Sequence, residues 1–317
     1  MKETPLGHQS QKKTNRDTGL LSNVWRRRKE AVLAGLFLLP SLVIFAVFMF
    51  WPVIRTIYLS FFEWNMISPY KDFVGFEHYI DIFVNPDTIK AFTNSAVYVV
   101  ILLILNFVFP YLVSFVVANV ITKGQDFYKA VIFFPSLVSL AVGSIVFSWV
   151  FNPVAGPMKL ILDNFGISSP IWLKERGWVI MVLSLIVAWR SFGYNLIVLI
   201  GAVQDVPLEL IEAARLEKAS NWRIFWSIIR PMTSSKALYV FIITIVFGLQ
   251  HVFTPINMLT QGGPNQASTN IVYIIYEYGF YFFQTGRAAA LATITMIVFV
   301  GFIILQRQME KGVHYEV

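Results

Sequence analysis

The sequence predicts an all-α, polytopic membrane protein with six transmembrane helices. Of its 317 residues, 56% are hydrophobic and only 14% are charged, and the mean hydropathy is +0.64. Soluble domains carry about a quarter charged residues. Several apolar runs also exceed the roughly 18 residues that cross a bilayer. The net charge of +7 therefore indicates basic loops beside a membrane, and we expect no nucleic acid as a partner.

Six apolar runs are separated by polar or proline-containing loops. We predict spans at about 31–53, 92–121, 130–151, 178–203, 237–259 and 288–305. Pro135 is expected to break the third span, because proline lacks the N–H group that a helix interior needs. The predicted organisation is a basic cytoplasmic tail over 1–30, a transmembrane domain over 31–308 and a short cytoplasmic tail over 309–317.

The basic residues predict the orientation of the chain. Six spans place both termini on one side of the membrane. That side holds 17 of the 25 Lys and Arg residues, the opposite loops hold seven, and Arg190 lies within span four. Because cytoplasmic loops carry an excess of Lys and Arg, we expect both termini in the cytoplasm. The run Arg26-Arg27-Arg28-Lys29 is expected to meet anionic lipid head groups.

The interval 205–231 between spans four and five is the longest polar stretch late in the chain and predicts two short helices. Asp205 can cap the first helix, and Pro207 suits its first turn, where a missing N–H group costs nothing. Residues 208–219 are rich in good helix formers.

The second helix of this interval is predicted over 222–230. Ser220 or Asn221 can cap it, and Pro231 is expected to end it. Two amphipathic helices against a membrane, with Glu212, Glu217 and Lys218 exposed, form a docking surface for a soluble partner rather than a catalytic site.

Glu212-Ala213-Ala214, with Lys218 four residues further on and Pro231 closing the loop, resembles the Glu-Ala-Ala loop of binding-protein-dependent ABC importer permeases. In that family the loop forms the coupling helices that bind the ATP-binding subunit. The resemblance implies ATPase contacts by Glu212, Ala213, Ala214, Arg215 and Lys218. The family usually has Asp-Gly at the Glu217-Lys218 position, and a left-handed lysine costs about 1 kcal/mol. The shape of the turn therefore stays open.

Four further motifs resemble those of the carbohydrate branch, the maltose- and glycerol-phosphate-type permeases. They are Phe73-Val74-Gly75-Phe76, Trp149-Val150-Phe151-Asn152-Pro153, Leu259-Thr260-Gln261-Gly262-Gly263-Pro264, and Gly286 with Ala288-Ala289-Ala290. The resemblance implies the type I ABC importer permease fold and a sugar substrate. The implied partners are a second permease, two ATP-binding subunits and an external solute-binding protein. The chain has no Gly-x-x-x-x-Gly-Lys motif, so we expect the partner subunit to bind ATP and this chain to hold no cofactor.

Polar groups inside spans are costly and are therefore functional candidates. The resemblance places the region from Trp189 to Tyr194, and the segment with Gln250 and His251, on the substrate cavity. Arg190, with Asn195 close by, can hold a carboxylate or phosphate or can pair with carbonyl groups inside the bundle. A lone histidine is more often structural. Asn106 in span two is expected to bridge helices by hydrogen bonding.

These observations favour a permease subunit that imports a sugar or oligosaccharide and is not itself an enzyme. The same architecture importing an acidic sugar oligomer or glycerol phosphate stays open. An ion-coupled carrier is disfavoured by the lack of paired acidic residues within spans. A membrane-embedded enzyme is disfavoured by the lack of a catalytic constellation, and the scattered histidines predict no metal site.

Overall fold

The computed structural model describes Leu33, residues 35–121 and residues 124–311, with side chains to residue 308. The predicted basic tail over 1–30 and most of the predicted tail over 309–317 lie outside these residues. The described chain divides at Tyr58 into two compact units. In the first unit, the Arg55 guanidinium lies 6.0 Å from the centre of the Trp51 ring and 5.8 Å from that of Tyr58. This grouping is typical of a membrane–water interface.

Most of the described residues are helical. The long helices are α1 (Gly35–Leu59), α3 (Pro86–Asn119), α7 (Trp178–Gln204), α10 (Ser234–Thr260) and α12 (Thr285–Lys311). The shorter helices are α2 (Glu77–Val84), α4 (Gln125–Leu137), α5 (Leu140–Val150), α6 (Pro157–Asn164), α8 (Leu208–Leu216), α9 (Asn221–Ile224) and α11 (Ile271–Tyr276). Helix α9 continues through Phe225–Ile229 and Arg230–Met232, and α11 through Glu277–Tyr281. Strands β1 (Phe62–Glu63) and β2 (Asp72–Phe73) form an antiparallel hairpin.

The five long helices are apolar and long enough to cross a membrane, and α4 with α5 forms a sixth, bent span. The two halves of that span meet at 97°. Pro135 lies in the last, tightened turn of α4, and the break itself follows at Val138 and Ser139, whose backbone is extended. The Ser139 side chain caps α5 by accepting a hydrogen bond of 3.2 Å from the Val142 N–H group. The sequence therefore predicted the broken span but placed the break a few residues early.

Helix α7 lies at the centre of the second unit and packs against α3, α4 and α10. Its buried side chains include Leu183, Ile186 and Leu199, which have no exposed surface. At Gly193, a Cβ atom would lie 2.3 Å from the carbonyl oxygen of Ile132 in α4. A side chain at this position would therefore push the two backbones apart, so Gly193 allows the bent span to contact α7.

The loop between α10 and α11 is fastened to α3. Gly262 adopts a φ of +81°, which glycine accepts without strain. The Asn94 amide donates to the carbonyls of Gln266 and Thr269, and the Tyr98 hydroxyl donates to that of Ser268. The Gly262-Gly263-Pro264 segment after α10 is therefore part of an ordered loop that joins three helices.

Candidate functional site

A cavity of about 330 Å³ lies among α3, α4, α7 and α10, within the apolar part of the molecule. Its polar lining comprises eight side chains: Asn106, Ser136, Arg190, Ser191, Tyr194, Asn195, Thr244 and His251. Among the described residues no Asp or Glu lines it, and Arg190 carries its only permanent charge. A polar cavity enclosed by membrane-spanning helices suits a hydroxyl-rich or anionic ligand, because such groups need hydrogen-bond donors when they leave water.

Arg190 makes the predicted bond to a carbonyl group inside the bundle and also has a position on the cavity wall. It lines the cavity, and its Nε donates a hydrogen bond of 3.2 Å to the carbonyl oxygen of Val138, where the third span breaks. Ser136 closes the contact by donating from Oγ to the carbonyl oxygen of Arg190 over 2.9 Å. Among the described residues, the terminal guanidinium nitrogens have no protein hydrogen bond. One part of the guanidinium is therefore structural, and the rest remains free to bind a ligand.

Asn195 and Asn106 join three helices at the wall of the cavity. Asn195 is buried, and its Nδ2 donates to the main-chain carbonyl of Asn106 over 2.6 Å and to Thr244 Oγ1 over 3.1 Å. Asn106 lies in a π-helical turn of α3, Ile104–Val108. Its main-chain carbonyl bridges the helices, whereas its side-chain Oδ1 is buried without a partner in the described chain, so the predicted bridge through the Asn106 side chain is not formed.

Asn106 is therefore a cavity residue that the sequence interpretation treated only as a structural bridge. It is 2% exposed, and its side chain makes no hydrogen bond within the described chain. An unsatisfied amide inside a membrane protein is costly unless another molecule completes its hydrogen bonds. Its position within a span was the available signal for function.

Tyr194 and His251 both line the cavity, on α7 and α10. The His251 ring stacks on Phe247, one helical turn earlier, with ring centroids 6.1 Å apart and planes 18° from parallel. This contact fixes the orientation of the imidazole. The aromatic rings of Tyr194 and Phe247 beside polar groups form the mixed lining that sugar rings favour.

The structure does not bring Trp189 or Gln250 to this cavity. Trp189 packs against Phe147 of α5 with ring centroids 5.5 Å apart, and it lines a separate apolar cavity of about 430 Å³. Gln250 is exposed on another face of α10. Consecutive helix positions are rotated by about 100°, so a neighbour of a cavity residue often points elsewhere.

Helix α8 exposes one face and buries the other. Ile211 is buried among Ile224, Phe225 and Ile229 of the following segment. Glu212, Ala213, Arg215 and Lys218 are exposed, Ala214 is half-buried, and Leu216 is 86% exposed. Leu216 therefore presents a large apolar side chain next to exposed charged residues. The Arg215 guanidinium also donates to the carbonyl oxygen of Asn119 over 2.8 Å, which ties α8 to the end of α3.

The start of this loop differs from the sequence prediction. Asp205 does not cap α8: Pro207 holds the capping position without a side-chain hydrogen bond, and α8 begins at Leu208. The Asp205 carboxylate instead pairs with Lys236 at the start of α10. This ion pair joins the end of α7 to the beginning of α10, at the base of the loop.

The turn after α8 has the conformation that glycine usually supplies. Lys218 has a φ of +60°, and α8 ends at Leu216, with Glu217 as its last capping residue. The Ala219 N–H group donates to the Ala214 carbonyl and the Lys218 N–H group to the Arg215 carbonyl, both over 2.9 Å. This pair of bonds is the Schellman motif. Lysine therefore adopts the left-handed conformation here despite its Cβ atom.

The second helix of the loop begins as predicted but does not end as predicted. Ser220 caps it by accepting from the Arg223 N–H group over 3.3 Å. The helix then continues through a π-helical turn, Phe225–Ile229, and includes Pro231 within Arg230–Met232. A π-helical turn already leaves the usual i−4 carbonyl unpaired, so proline does not end the helix there.

Comparison with protein families decides the identity. Residues 111–315 match the model of the family described as "Binding-protein-dependent transport system inner membrane component". The chain belongs to this family. It is therefore a multi-pass inner-membrane permease, a transport component rather than an enzyme.

Relatives of the permease match along nearly all of its length. The probable ABC transporter permease protein YurN of Bacillus subtilis is 29% identical over 88% of this chain and 96% of its own. The sn-glycerol-3-phosphate transport system permease protein UgpA of Brucella abortus is 28% identical, over 90% and 97%. A solved bacterial ABC transporter that imports the acidic polysaccharide alginate has a TM-score of 0.77 at 20% identity, covering 91% of this chain and 98% of its own. These comparisons confirm the predicted ABC importer permease fold.

At the other end of the permease, Glu277 lies half-buried at the end of α11, outside the spanning helices. Burial raises the pKa of its carboxyl group, and Asp87 adds to the rise, while a hydrogen bond from Gln266 opposes it. The Gln266 amide lies 3.4 Å from the Glu277 carboxylate. Burial, with Glu277 nearby, also raises the pKa of Tyr273 to about 12. An acidic group therefore sits among aromatic rings between the α10–α11 loop and α12.

Proposed function

We propose that this permease forms half of the translocation pathway of an ABC importer for a sugar or oligosaccharide. One observation carries the proposal: α7 and α10 line the polar cavity and also bracket the docking helices α8 and α9. A partner that moves the loop between these two helices would thereby move the cavity walls. The names of the relatives, which include glycerol-phosphate permeases and an alginate importer, support a carbohydrate or polyol substrate.

ATP is bound and hydrolysed, in this proposal, by separate subunits that dock on α8, and the permease holds no cofactor of its own. Glu212 pairs there with a basic group, Leu216 fills an apolar pocket, and Ala213, Arg215 and Lys218 complete the contact. A second permease supplies the other half of the pathway, and an external binding protein delivers the substrate. Both termini and the loop face the cytoplasm, in accord with the distribution of Lys and Arg.

The substrate contacts in this proposal are the side chains that line the cavity. Tyr194 packs against a sugar ring, and Asn106, Arg190 and His251 bind its hydroxyl groups. Asn195 positions α3 and α10 around them. A second candidate substrate class is an acidic sugar oligomer or glycerol phosphate, and the observation that favours it is the presence of Arg190 without any carboxylate in the described lining.

The test is uptake and ATPase stimulation by the reconstituted importer with its binding protein and ATP-binding subunits. Neutral and uronate-bearing oligosaccharides of equal length, and glycerol phosphate, are compared. Stimulation by neutral sugars supports the first substrate class, and stimulation by the anionic compounds alone supports the second. ATPase activity that no sugar or polyol stimulates, while another solute class does, contradicts the carbohydrate proposal.

A further inference from the structure

The largest of the cavities described here is separate from the polar cavity around Arg190 and has a different, almost wholly apolar lining. It measures about 560 Å³ and lies between α3, the α9 segment and the start of α10. Its walls are aromatic and aliphatic, with Phe107, Trp222, Phe225 and Trp226 among them. Arg230 is the one charged residue among the described side chains that line it.

The cavity extends into the membrane over the same depth as the half of an acyl chain that is nearest the head group. Val108 and Leu112 line it seven to eleven residues before the end of α3, and Phe241 lines it seven residues after the start of α10. At 1.5 Å per residue, the cavity extends about 10–17 Å from the helix ends into the membrane. A cavity at this depth can accommodate an extended acyl chain whose head group lies at the level of the helix ends.

The opening of the cavity carries a positive charge that is complementary to an anionic group. Arg230 is exposed, and its guanidinium lies 4.9 Å from the centre of the Trp226 ring. No carboxylate pairs with Arg230 in the described part of the chain, whereas Lys236, six residues further on, is paired with Asp205. An unpaired arginine held by a tryptophan at the membrane border is complementary to a lipid phosphate.

We propose that one anionic phospholipid binds here, with its phosphate on Arg230 and one acyl chain in the apolar cavity. Selective binding of an anionic phospholipid needs both Arg230 and the apolar cavity. The aromatic walls recognise any acyl chain, and Arg230 selects the anionic head group. Trp222 and Trp226 belong to the α9 segment, in the loop between α7 and α10, and Phe107 belongs to α3. The lipid therefore contacts both this loop and a membrane span.

The experiment measures lipid retention by the intact importer with native mass spectrometry. The complex is purified in mild detergent with equal amounts of phosphatidylglycerol and phosphatidylcholine of identical acyl chains. The wild type is expected to retain phosphatidylglycerol preferentially. Arg230→Gln is expected to weaken its binding about fivefold, the factor that one lost lipid–arginine contact gives, and to erase the preference. Val108→Trp fills the cavity and is expected to reduce retention of both lipids.

Arg223→Gln is the matched control, because it removes the same charge from an exposed position on α9 that does not line the cavity. Equal retention of the two lipids by the wild type, or equal losses in Arg230→Gln and Arg223→Gln, overturns the proposal. A photo-crosslinking residue at Val108 identifies the occupant even where the tryptophan variant fails to fold. A lipid adduct supports the site, and a cross-link to the second permease assigns this face to a protein interface instead.

Discussion

Arg190 donates from Nε to the carbonyl oxygen of Val138 at the break in the third span, and Ser136 donates back to the Arg190 carbonyl. The bent span and α7 are thus joined by two hydrogen bonds of opposite direction. A carbonyl at a helix break inside a membrane has no water to bind, so it must be satisfied by the protein. Arg190 satisfies it from the wall of the polar cavity among α3, α4, α7 and α10.

Arg190→Gln is expected to lower transport of neutral and acidic substrates by similar factors. Glutamine lacks the guanidinium Nε–H group, so the carbonyl of the half-buried Val138 loses this bond, at a cost of up to about 1–3 kcal/mol. The measurement is uptake of both substrate classes by the reconstituted importer, together with its apparent melting temperature. Ser136→Ala is the control, because it removes the returning bond without changing charge. A loss confined to acidic substrates, with an unchanged melting temperature, would show that the contact of Arg190 with an anionic substrate, and not its bond to Val138, dominates its contribution to transport.

Asn106 and Asn195 are expected to respond differently to the same substitution. Asn195→Leu removes two hydrogen bonds between helices and is expected to destabilise the permease by about 1–2 kcal/mol. Asn106→Leu removes a side chain without a partner in the described chain, so the melting temperature is expected to stay the same or to rise. Uptake is nevertheless expected to fall in Asn106→Leu, because the cavity loses a polar group. A strongly lowered melting temperature in Asn106→Leu would mean that its amide is needed for folding.

Much of this fold follows from the sequence because its strongest signals are local. Apolar runs located the spans, and the Ser220 cap follows from residue type and position. The sequence alone does not fix the shape of the turn at Lys218, because the intrinsic preference of lysine disfavours the left-handed conformation. The hydrogen bonds of the Schellman motif and the burial of Ile211 outweigh a local cost of about 1 kcal/mol.

The residues that face the cavity were harder to predict. Helix α7 is apolar on most of its surface, so its sequence does not show which face points toward the cavity. For this reason Trp189 was expected beside Arg190 and Tyr194 on the cavity wall, whereas it packs against Phe147. The π-helical turns Ile104–Val108 and Phe225–Ile229 each shift the register of the residues that follow. The pairing of Asp205 with Lys236 depends on the packing of two spans, which no short motif encodes.

Lys218→Gly is expected to stabilise the loop between α7 and α10 by about 1 kcal/mol, since glycine adopts a positive φ without a Cβ penalty. The measurement is amide hydrogen exchange over 217–221, which is expected to slow. Lys218→Ala is the control because alanine keeps the Cβ atom and loses only the charge. Equal slowing in both variants would attribute the effect to charge rather than to backbone conformation.

Glu277 is expected to make the permease less stable as pH rises. Its pKa lies above the ordinary value of 4.5 because burial disfavours the carboxylate. The folded protein therefore holds the proton more tightly than the unfolded chain, and the resulting stability is lost as pH rises from about 4.5 through the folded pKa. The apparent melting temperature of Glu277→Gln should exceed that of the wild type increasingly over this range. Glu63→Gln, at an exposed acid, serves as the control, and parallel curves for Glu277→Gln and wild type would refute the assignment.

Glu212 is expected to couple the permease to ATP hydrolysis. It is exposed on α8, next to Ala213 and one turn before the highly exposed Leu216, while Ile211 anchors the opposite face. Glu212→Lys reverses the charge on the docking surface without touching that anchor, so the variant is expected to insert and fold but to lose substrate-stimulated ATPase activity and uptake. Glu209→Lys makes the same charge change at an exposed position one turn earlier and is expected to retain most of the activity. If both variants transport normally and still co-purify with the ATP-binding subunit, the contact lies elsewhere on α8, and Leu216→Asp then tests its apolar end.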